Sequence, residues 1–345
     1  MKKAQQLLFA VSTITLLTFA SCSDEQTDPP VESSGHRAVL LTNEGGFQQG
    51  NASISQYDPA TEEIKHDVFM TANNRPVGDV LMPASFVDGD MWLVVNNSGN
   101  IWIVDSTDLS IKDEVTGLGS PRFAVKANDE GVYVSNLFGD RLDVVNISGK
   151  NVTGGIGLNG WSEQMVLVND QMWVANKSAE YLYQVDASTD AVSDSIKVRK
   201  NGGTIIPVGT GNHVFLLCEA EWDLSTKPCI YRIDLGTKEI IDSLEFAVGQ
   251  SVTHLVYDSQ NDQLLFANSG LHRIDATNLA ASTGAINDLT DVVVYAIAVD
   301  PVNGDVYVSD AGDFKGRSVI HRLSSNGTEH STFEAGVNCN GFVFR

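Results

Sequence analysis

The 345-residue sequence has few basic side chains, few cysteines and no apolar run long enough to cross a membrane. Lysine and arginine number 22 against 44 aspartates and glutamates, which gives a formal net charge of −22 at pH 7. A chain this acidic repels phosphate backbones, so we expect no nucleic-acid partner. The longest uncharged, largely apolar stretch, from Leu7 to Ala20, is shorter than the roughly 20 residues of a membrane-spanning helix.

Catalytic signatures are also lacking. The sequence contains no G-x-S-x-G elbow, no H-E-x-x-H, no C-x-x-C and no phosphate-binding loop. We therefore predict a protein that is not an enzyme and that has no cofactor and no metal.

The N-terminus has the layout of a bacterial lipoprotein signal. Lys2 and Lys3 precede the apolar run, and the small residues Ala20 and Ser21 precede Cys22. A basic start, an apolar middle and a small-residue cleavage site are typical of a secretory signal. We predict a signal peptide over residues 1–21 and lipid attachment at Cys22. The alternative is an ordinary secretory signal with an incidental cysteine.

Residues 22–35 are predicted to form a disordered tether. They are polar, acidic and proline-bearing, a composition that buries too little apolar surface to fold. The serine and acids after Cys22 are similar to the export signal of Bacteroides-group surface lipoproteins. We therefore expect the protein on the outer membrane, facing the cell exterior and touching the membrane only through its lipid.

Three cysteines remain for the folded part. Cys218 and Cys229 flank one loop, while Cys339 has no other cysteine close to it in the sequence. An extracytoplasmic location favours a Cys218–Cys229 disulfide. Two free thiols are the alternative.

The rest of the chain repeats one pattern of four short β-strands. Its third strand closes on a polar residue at intervals of 40 to 49 residues, near the ~40 to 45 residues of a four-stranded propeller blade. The closing residues are Asp58, Asp105, Asn146, Asp186, Asp234, Asp275 and Ser324. No segment shows a sustained helical period. We predict an all-β, seven-bladed β-propeller over residues 36–345, with a β-sandwich as the alternative.

Two features support a closed ring. Residues 339–345 have the pattern of an innermost strand, and residues 36–45 have that of a second strand, so pairing the chain ends completes one blade. One second-strand position is repeatedly aromatic, which favours packing between neighbouring blades. The aromatic residues at this position are Trp92, Tyr133, Trp173, Phe215, Phe266 and Tyr307.

A ligand site is predicted on one face of the ring. In a propeller, the loops joining strands 2 and 3 emerge beside the links between blades. Aromatic rings lie at or near the tips of five such loops, where they offer apolar contact area. These rings are Phe47, Phe138, Tyr181, Trp222 and Phe314.

The inter-blade links add residues around the central channel. We expect Asp79, Arg122, Glu163 and His254 to converge there, and the links also carry Trp161 and Tyr295. A pair of carboxylates in the channel would hold a metal if the protein were instead a hydrolase like the propeller lactonases.

Several segments resemble a known family. They are "LLTNEGGFQQGNASISQYDPATEEI", "NNRPVGDVLMP", "GLGSPRFAVKA" and "MWVANKSAEYLYQVD". They are similar to the YncE-like, DUF5074-type seven-bladed propeller lipoproteins of Bacteroides-group bacteria, which include BtuG-like proteins that capture corrinoids. The resemblance implies a surface protein that captures a small-molecule micronutrient and passes it to a TonB-dependent outer-membrane transporter. A corrinoid is the first expected ligand and a siderophore the second; the alternatives are a protein- or glycan-binding adhesin and a metal-dependent lactonase-like hydrolase.

Overall fold

The structure, a computed structural model, describes residues 38–209, 211–280 and 282–345. The predicted signal peptide, Cys22 and the tether lie outside the described residues. Across the described ranges, no helix is long and apolar enough to cross a membrane.

The described residues form seven four-stranded antiparallel sheets arranged in a ring, so the predicted propeller is confirmed. Blade 1 contains β1 (Val39–Asn43), β2 (Ser53–Asp58) and β3 (Glu63–Lys65). Blade 2 contains β4 (Ser85–Val87), β5 (Asp90–Val95), β6 (Asn100–Asp105) and β7 (Ile111–Val115), and blade 3 contains β8 (Pro121–Lys126), β9 (Gly131–Asn136), β10 (Arg141–Asn146) and β11 (Asn151–Gly157).

The remaining blades follow in chain order. Blade 4 contains β12 (Ser162–Val168), β13 (Gln171–Asn176), β14 (Tyr181–Asp186) and β15 (Ala191–Lys197), and blade 5 contains β16 (Gly202–Val208), β17 (His213–Cys218), β18 (Cys229–Asp234) and β19 (Glu239–Glu245). Blade 6 contains β20 (Thr253–Asp258), β21 (Gln263–Ala267), β22 (Leu271–Asp275) and β23 (Ser282–Asn287), and blade 7 contains β24 (Val294–Val299), β25 (Val306–Asp310), β26 (Arg317–Leu323) and β27 (Glu329–Val337).

The last strand, β28 (Cys339–Phe344), closes the ring by completing blade 1. It is the innermost strand of that blade and pairs antiparallel with β1, so that Val39 lies opposite Phe344 and Leu41 opposite Phe342. The predicted pairing of the two chain ends is confirmed. It removes the two strand edges that an open ring would expose.

The core is divided among the seven interfaces between neighbouring blades. In the described part of the chain, each interface holds one apolar cluster. The second strands are buried on both faces, which explains their continuous apolar sequences. All six repeated aromatics on these strands are buried, as predicted; Trp92 of blade 2, for example, packs with Ala124 and Val132 of blade 3.

The repeated polar residues at the ends of the third strands form turns. The Oδ1 atom of Asp105 accepts the N–H of Thr107 at 2.8 Å, and that of Asp234 accepts the N–H of Gly236 at 2.8 Å. Such turns suit aspartate and asparagine, whose short side chains reach the backbone two residues on. These carboxylates are therefore used to close the loops between strands 3 and 4.

One short helix interrupts the β pattern. Helix α1 (Val68–Asn73) lies in the link between blades 1 and 2, where Phe69 is completely buried. The side chain of Asn73 accepts the N–H of Ile111 at 2.9 Å and donates to the carbonyl of Leu109 at 2.8 Å. These two hydrogen bonds anchor the end of the helix to blade 2.

Candidate ligand-binding face

The loops between strands 2 and 3 and the inter-blade links lie on the same side of the ring, which we call the link face. The first residue of such a loop repeatedly donates its N–H to a carbonyl of the adjacent link. Lys177 donates to Trp161 at 2.9 Å, and Glu219 donates to Asn201 at 3.0 Å. Corresponding bonds join Glu44 to Asn338, Asn97 to Asp79, Leu137 to Ser120 and Ala311 to Val293.

A β-bulge recurs at the link-face end of the innermost strand in six blades. The register slips there, for example between Pro121 and Ala124 in β8 and between Ser162 and Met165 in β12. A bulge re-aims a side chain that regular pleating would point elsewhere. The re-aimed positions are Arg122, Glu163, Gly203, His254, Tyr295 and Asn340, all of which line one cavity of about 240 Å³ at the mouth of the central channel.

One wall of this cavity is a closed network of charges. The Nε and Nη2 atoms of Arg122 donate to the two carboxylate oxygens of Glu163 at 3.0 and 2.5 Å. The indole N–H of Trp161 donates to the same carboxylate at 2.6 Å. Glu163 is only 8% exposed, so its charge depends on these partners.

A glycine continues this wall. A Cβ at Gly203 would lie 2.8 Å from the Cε of Lys177, so the end of that lysine side chain packs directly over Gly203 at the cavity. Lys177 pairs with Glu219 at 2.7 Å, and its Nζ atom lies 5.1 Å from the centre of the Trp161 ring. We call Arg122, Glu163, Lys177 and Glu219 the paired wall. Trp161 contacts this wall but is not among the residues that line the cavity.

The opposite wall carries acceptors. The hydroxyl of Tyr295 donates to Glu44 at 2.6 Å, and burial raises the pKa of the Glu44 carboxyl above its ordinary range. Nε2 of His254 lies 3.1 Å from the carbonyl of Val294. A carbonyl only accepts, so Nε2 carries the proton and Nδ1 is left as an acceptor. We call Glu44, Tyr295 and His254 the acceptor wall.

His254 is held in an unusual state. Its φ is +56°, in the left-handed region that a β-carbon disfavours, and it lies within the bulge of β20. Burial lowers the pKa of its imidazole, which is therefore neutral at pH 7. Strained backbone of this kind persists where surrounding contacts enforce it and is frequent at functional sites.

Five exposed aromatic rings lie on the link-face loops, outside the set of residues that line the cavity. The exposed fractions are 93% for Trp222, 79% for Phe138, 65% for Phe47, 48% for Phe314 and 40% for Tyr181. Phe314 also contacts Tyr295 edge to face, with ring centres 5.8 Å apart. The aromatic rim is therefore continuous with the acceptor wall.

Of the residues predicted to converge on the channel, Arg122, Glu163, His254 and Tyr295 do so. Asp79 is not among the residues that line the cavity, although its charge acts on the lining residue Glu44. The Oδ2 atom of Asp79 accepts the N–H of Gln48 at 2.9 Å and the side-chain amide of Asn97 at 2.6 Å, which braces the loop of blade 1. Within the described ranges, no group of three His, Cys, Asp or Glu side chains is arranged to hold a metal ion.

The predicted Cys218–Cys229 disulfide is not formed in the structure. The two residues lie directly opposite each other on β17 and β18, yet both thiols are free and buried. The thiol of Cys218 donates to the carbonyl of Arg199 at 3.3 Å. Burial raises the pKa of the Cys229 thiol to about 11.

A profile described as a domain of unknown function, DUF5074, matches residues 37–332. The chain belongs to the DUF5074 family. No curated protein sequence matches it.

Solved structures show which propellers this DUF5074 chain is similar to. A quinoprotein alcohol dehydrogenase-like protein of Bacteroides thetaiotaomicron aligns with a TM-score of 0.71 and 13% identity, over 90% of this chain and 78% of the other. A candidate 6-phosphogluconolactonase of Bacteroides fragilis aligns with a TM-score of 0.67 and 14% identity, over 92% of this chain and 100% of the other. Hydrazine synthase of Kuenenia stuttgartiensis aligns with a TM-score of 0.62 and 14% identity, over 76% and 87%. At these identities the similarity shows the fold alone.

Sequence reasoning missed several cavity residues of this DUF5074 propeller. Glu44, Lys177 and Glu219 each directly follow the last residue of a second strand, the position whose N–H bonds to the inter-blade link. Reading that repeat position along the sequence would have found all three. Asn340 follows from the bulge in β28, which has no signal in the sequence.

Proposed function

We propose that this chain is a non-enzymatic, cell-surface lipoprotein that captures a small-molecule micronutrient on its link face and passes it to a TonB-dependent outer-membrane transporter. A corrinoid is the first ligand to test and a siderophore the second. The observation that supports the proposal most strongly is the set of exposed aromatic rings on the link face, where a polar cavity opens.

The aromatic rim is suited to a bulky, partly apolar ligand. Large rings that are exposed in the free protein lose little conformational entropy on binding and bury much apolar area. Trp222, at 93% exposed, contributes nothing to the core. Five such rings on one face offer a contact surface that the fold itself does not require.

The cavity supplies the polar part of the site. Ligand sites combine apolar area with a few placed polar groups that fix orientation. At about 240 Å³ the cavity is small beside a corrinoid or siderophore, so only a substituent enters it while the body of the ligand lies across the rim. This division assigns affinity to the rim and orientation to the cavity walls.

The surface location follows from the N-terminal signal and belongs to the same proposal. With lipid on Cys22 and a tether over residues 22–35, the propeller would sit beside an outer-membrane transporter while staying free to rotate. Its membrane contact would be the lipid alone. A transporter gene of the TonB-dependent type next to this one would support the transfer step.

Calorimetric titration of the propeller with cobalamin, cobinamide, haem and ferric siderophores tests the binding step. We expect at least one of these compounds to bind, and we expect Trp222→Ala combined with Phe138→Ala to weaken that binding. A matched control is Phe86→Ala, which removes an aromatic side chain that is 51% exposed near the opposite-face end of β4. Absence of binding to every compound would overturn the proposal, as would equal losses from the rim and control variants.

A further inference from the structure

The charges of the cavity do not balance. Its lining contains two cations, Arg122 and Lys177, and three carboxylates. Arg122 is paired with Glu163, and Lys177 is paired with Glu219. Glu44 is the third carboxylate. Tyr295 and Asn340 donate to it and the charge of Arg122 acts on it, but no lysine, arginine or histidine of the described ranges lies within ion-pair distance. The cavity therefore has one carboxylate in excess.

A second acceptor faces the same cavity. His254 lines the cavity, and because its Nε2 atom donates to the Val294 carbonyl, Nδ1 is the nitrogen left to accept a hydrogen bond. The neighbours facing this ring are the Lys177–Glu219 pair, whose opposite charges act on it in opposite directions. His254 is thus a neutral acceptor and adds no positive charge to offset Glu44.

The two acceptors are held by adjacent residues. The carbonyl of Val294 fixes His254, and the hydroxyl of Tyr295, the next residue, fixes Glu44. Both anchors belong to the start of β24, so Glu44 and His254 flank the same strand end. Their orientations are set before any ligand arrives, which reduces the entropy cost of binding.

We propose that the ligand group entering the channel mouth is a primary ammonium, which donates hydrogen bonds to the carboxylate of Glu44 and to Nδ1 of His254. An ammonium has three donors, no acceptor and one positive charge, which matches two acceptors and one excess negative charge. The ring of Tyr295, continued outward by Phe314, borders the path of the carbon chain that carries it. This inference rests on the proposed function only in that it names a substituent of the captured ligand, and within that proposal it favours a siderophore with a primary amine, because cobalamin, cobinamide and haem carry no such group.

The test uses a small probe that carries the ammonium and little else. The wild-type propeller is titrated with n-butylammonium chloride and, separately, with the uncharged analogue n-butanol, while the imidazole resonances of its histidines are followed by NMR. The spectrum of His254→Gln assigns the His254 signal. We expect saturable shifts of His254 with butylammonium at millimolar concentration and none with butanol, since a single charged subsite gives an affinity on the order of 1 mM.

Two carboxylate variants test whether the charge that binds butylammonium belongs to Glu44. Glu44→Gln keeps the shape and loses the charge, and we expect it to weaken butylammonium binding about tenfold. Glu180→Gln is the matched control, because Glu180 lies on a link-face loop outside the cavity, and it should bind as the wild type does. If Glu44→Gln failed to fold, the two probes on the wild-type protein would still decide the question.

Three results would overturn the ammonium subsite: no response of His254 up to about 100 mM butylammonium, an equal response to butanol, or unchanged binding in Glu44→Gln. These outcomes are separable from a failure of the proposed function. Binding of a micronutrient without a butylammonium response would remove the subsite alone. A butylammonium response with no micronutrient binding would remove the nutrient role and leave the subsite.

Discussion

The two walls of the cavity differ in how their charges are satisfied. On the paired wall, Arg122 and Lys177 each meet a carboxylate, and the polar atoms that bind them come from the protein. On the acceptor wall, Glu44 accepts hydrogen bonds and is influenced by the charge of Arg122, but it forms no ion pair of its own within the described ranges, and Nδ1 of His254 has no hydrogen bond there. A satisfied charge network shapes the cavity, whereas unsatisfied acceptors at its surface are available to a ligand. The comparison predicts that substitutions on the two walls have different effects on stability.

The largest effect is expected from Arg122→Met. It leaves Glu163 buried without its cation, and breaking a buried pair from one side costs about 3 kcal/mol of unfolding free energy. Urea unfolding at pH 7 measures the loss. Lys126→Met, which breaks an exposed pair with Asp88, is the control and should cost far less, because exposed ion pairs contribute little to stability. Similar small losses in both variants would show that the paired wall is not structural.

Glu44→Gln should change the unfolding free energy much less, by about 1 kcal/mol or less. At neutral pH the substitution should stabilise the protein, whereas Arg122→Met destabilises it. Burial raises the pKa of Glu44 in the folded protein, so its ionised form disfavours the fold above that pKa. As the pH falls through the raised pKa towards the ordinary value, the carboxyl takes up a proton and the wild type regains this free energy. The advantage of Glu44→Gln should therefore be present at pH 8 and disappear near pH 4.5.

Unfolding curves of both proteins across that range measure the difference. If Glu44→Gln proved as destabilising as Arg122→Met at pH 7, the distinction between the walls would be lost.

His254 should contribute a pH dependence in a different window. Burial lowers the pKa of its imidazole, so on acidification the unfolded chain binds this proton before the folded protein does. The contribution of His254 to the unfolding free energy is fully present above the ordinary histidine pKa of about 6.5. It decreases as the pH falls from there towards the lowered pKa of His254 in the folded protein. In His254→Gln the loss between pH 7 and pH 5 should be smaller by up to about 1 kcal/mol. An identical pH profile in wild type and variant would contradict the neutral-acceptor assignment.

The smallest stability effect is expected at the rim. Trp222→Ala combined with Phe138→Ala removes two rings that are 93% and 79% exposed, so the unfolding free energy should change by less than about 0.5 kcal/mol. Ligand affinity should nevertheless fall by about tenfold or more, since rim aromatics dominate such contacts. A melting temperature lowered by several degrees would show that these rings pack against their own blades.

The propeller could be predicted because each blade repeats the same physical requirements. Second strands buried on both faces read as apolar, and third strands end in turn-forming residues such as Asp105 and Asp234, so every blade adds the same signal. Loop aromatics could be placed on one face because strand direction alternates outward from the axis. These inferences need only the order of elements along the chain.

The walls of the cavity could be predicted only in part. Arg122, Glu163, His254 and Tyr295 were expected in the channel, but the bulges that aim them leave no periodic pattern. The sequence did not predict that the Oδ2 atom of Asp79 accepts two N–H donors from neighbouring loops, because those contacts depend on loop shape. The packing of the Lys177 side chain against Gly203 is a contact between neighbouring blades that the sequence pattern does not indicate.

Hydrogen–deuterium exchange on the complex with the best-binding compound of the micronutrient panel tests the central claim most directly. The account predicts protection in the link-face loops, residues 44–52, 137–140 and 219–228, and unchanged exchange in the turns that follow Asp105 and Asp234 on the third strands. Protection confined to those turns, or no bound compound to examine, would contradict the assignment of ligand capture to the link face.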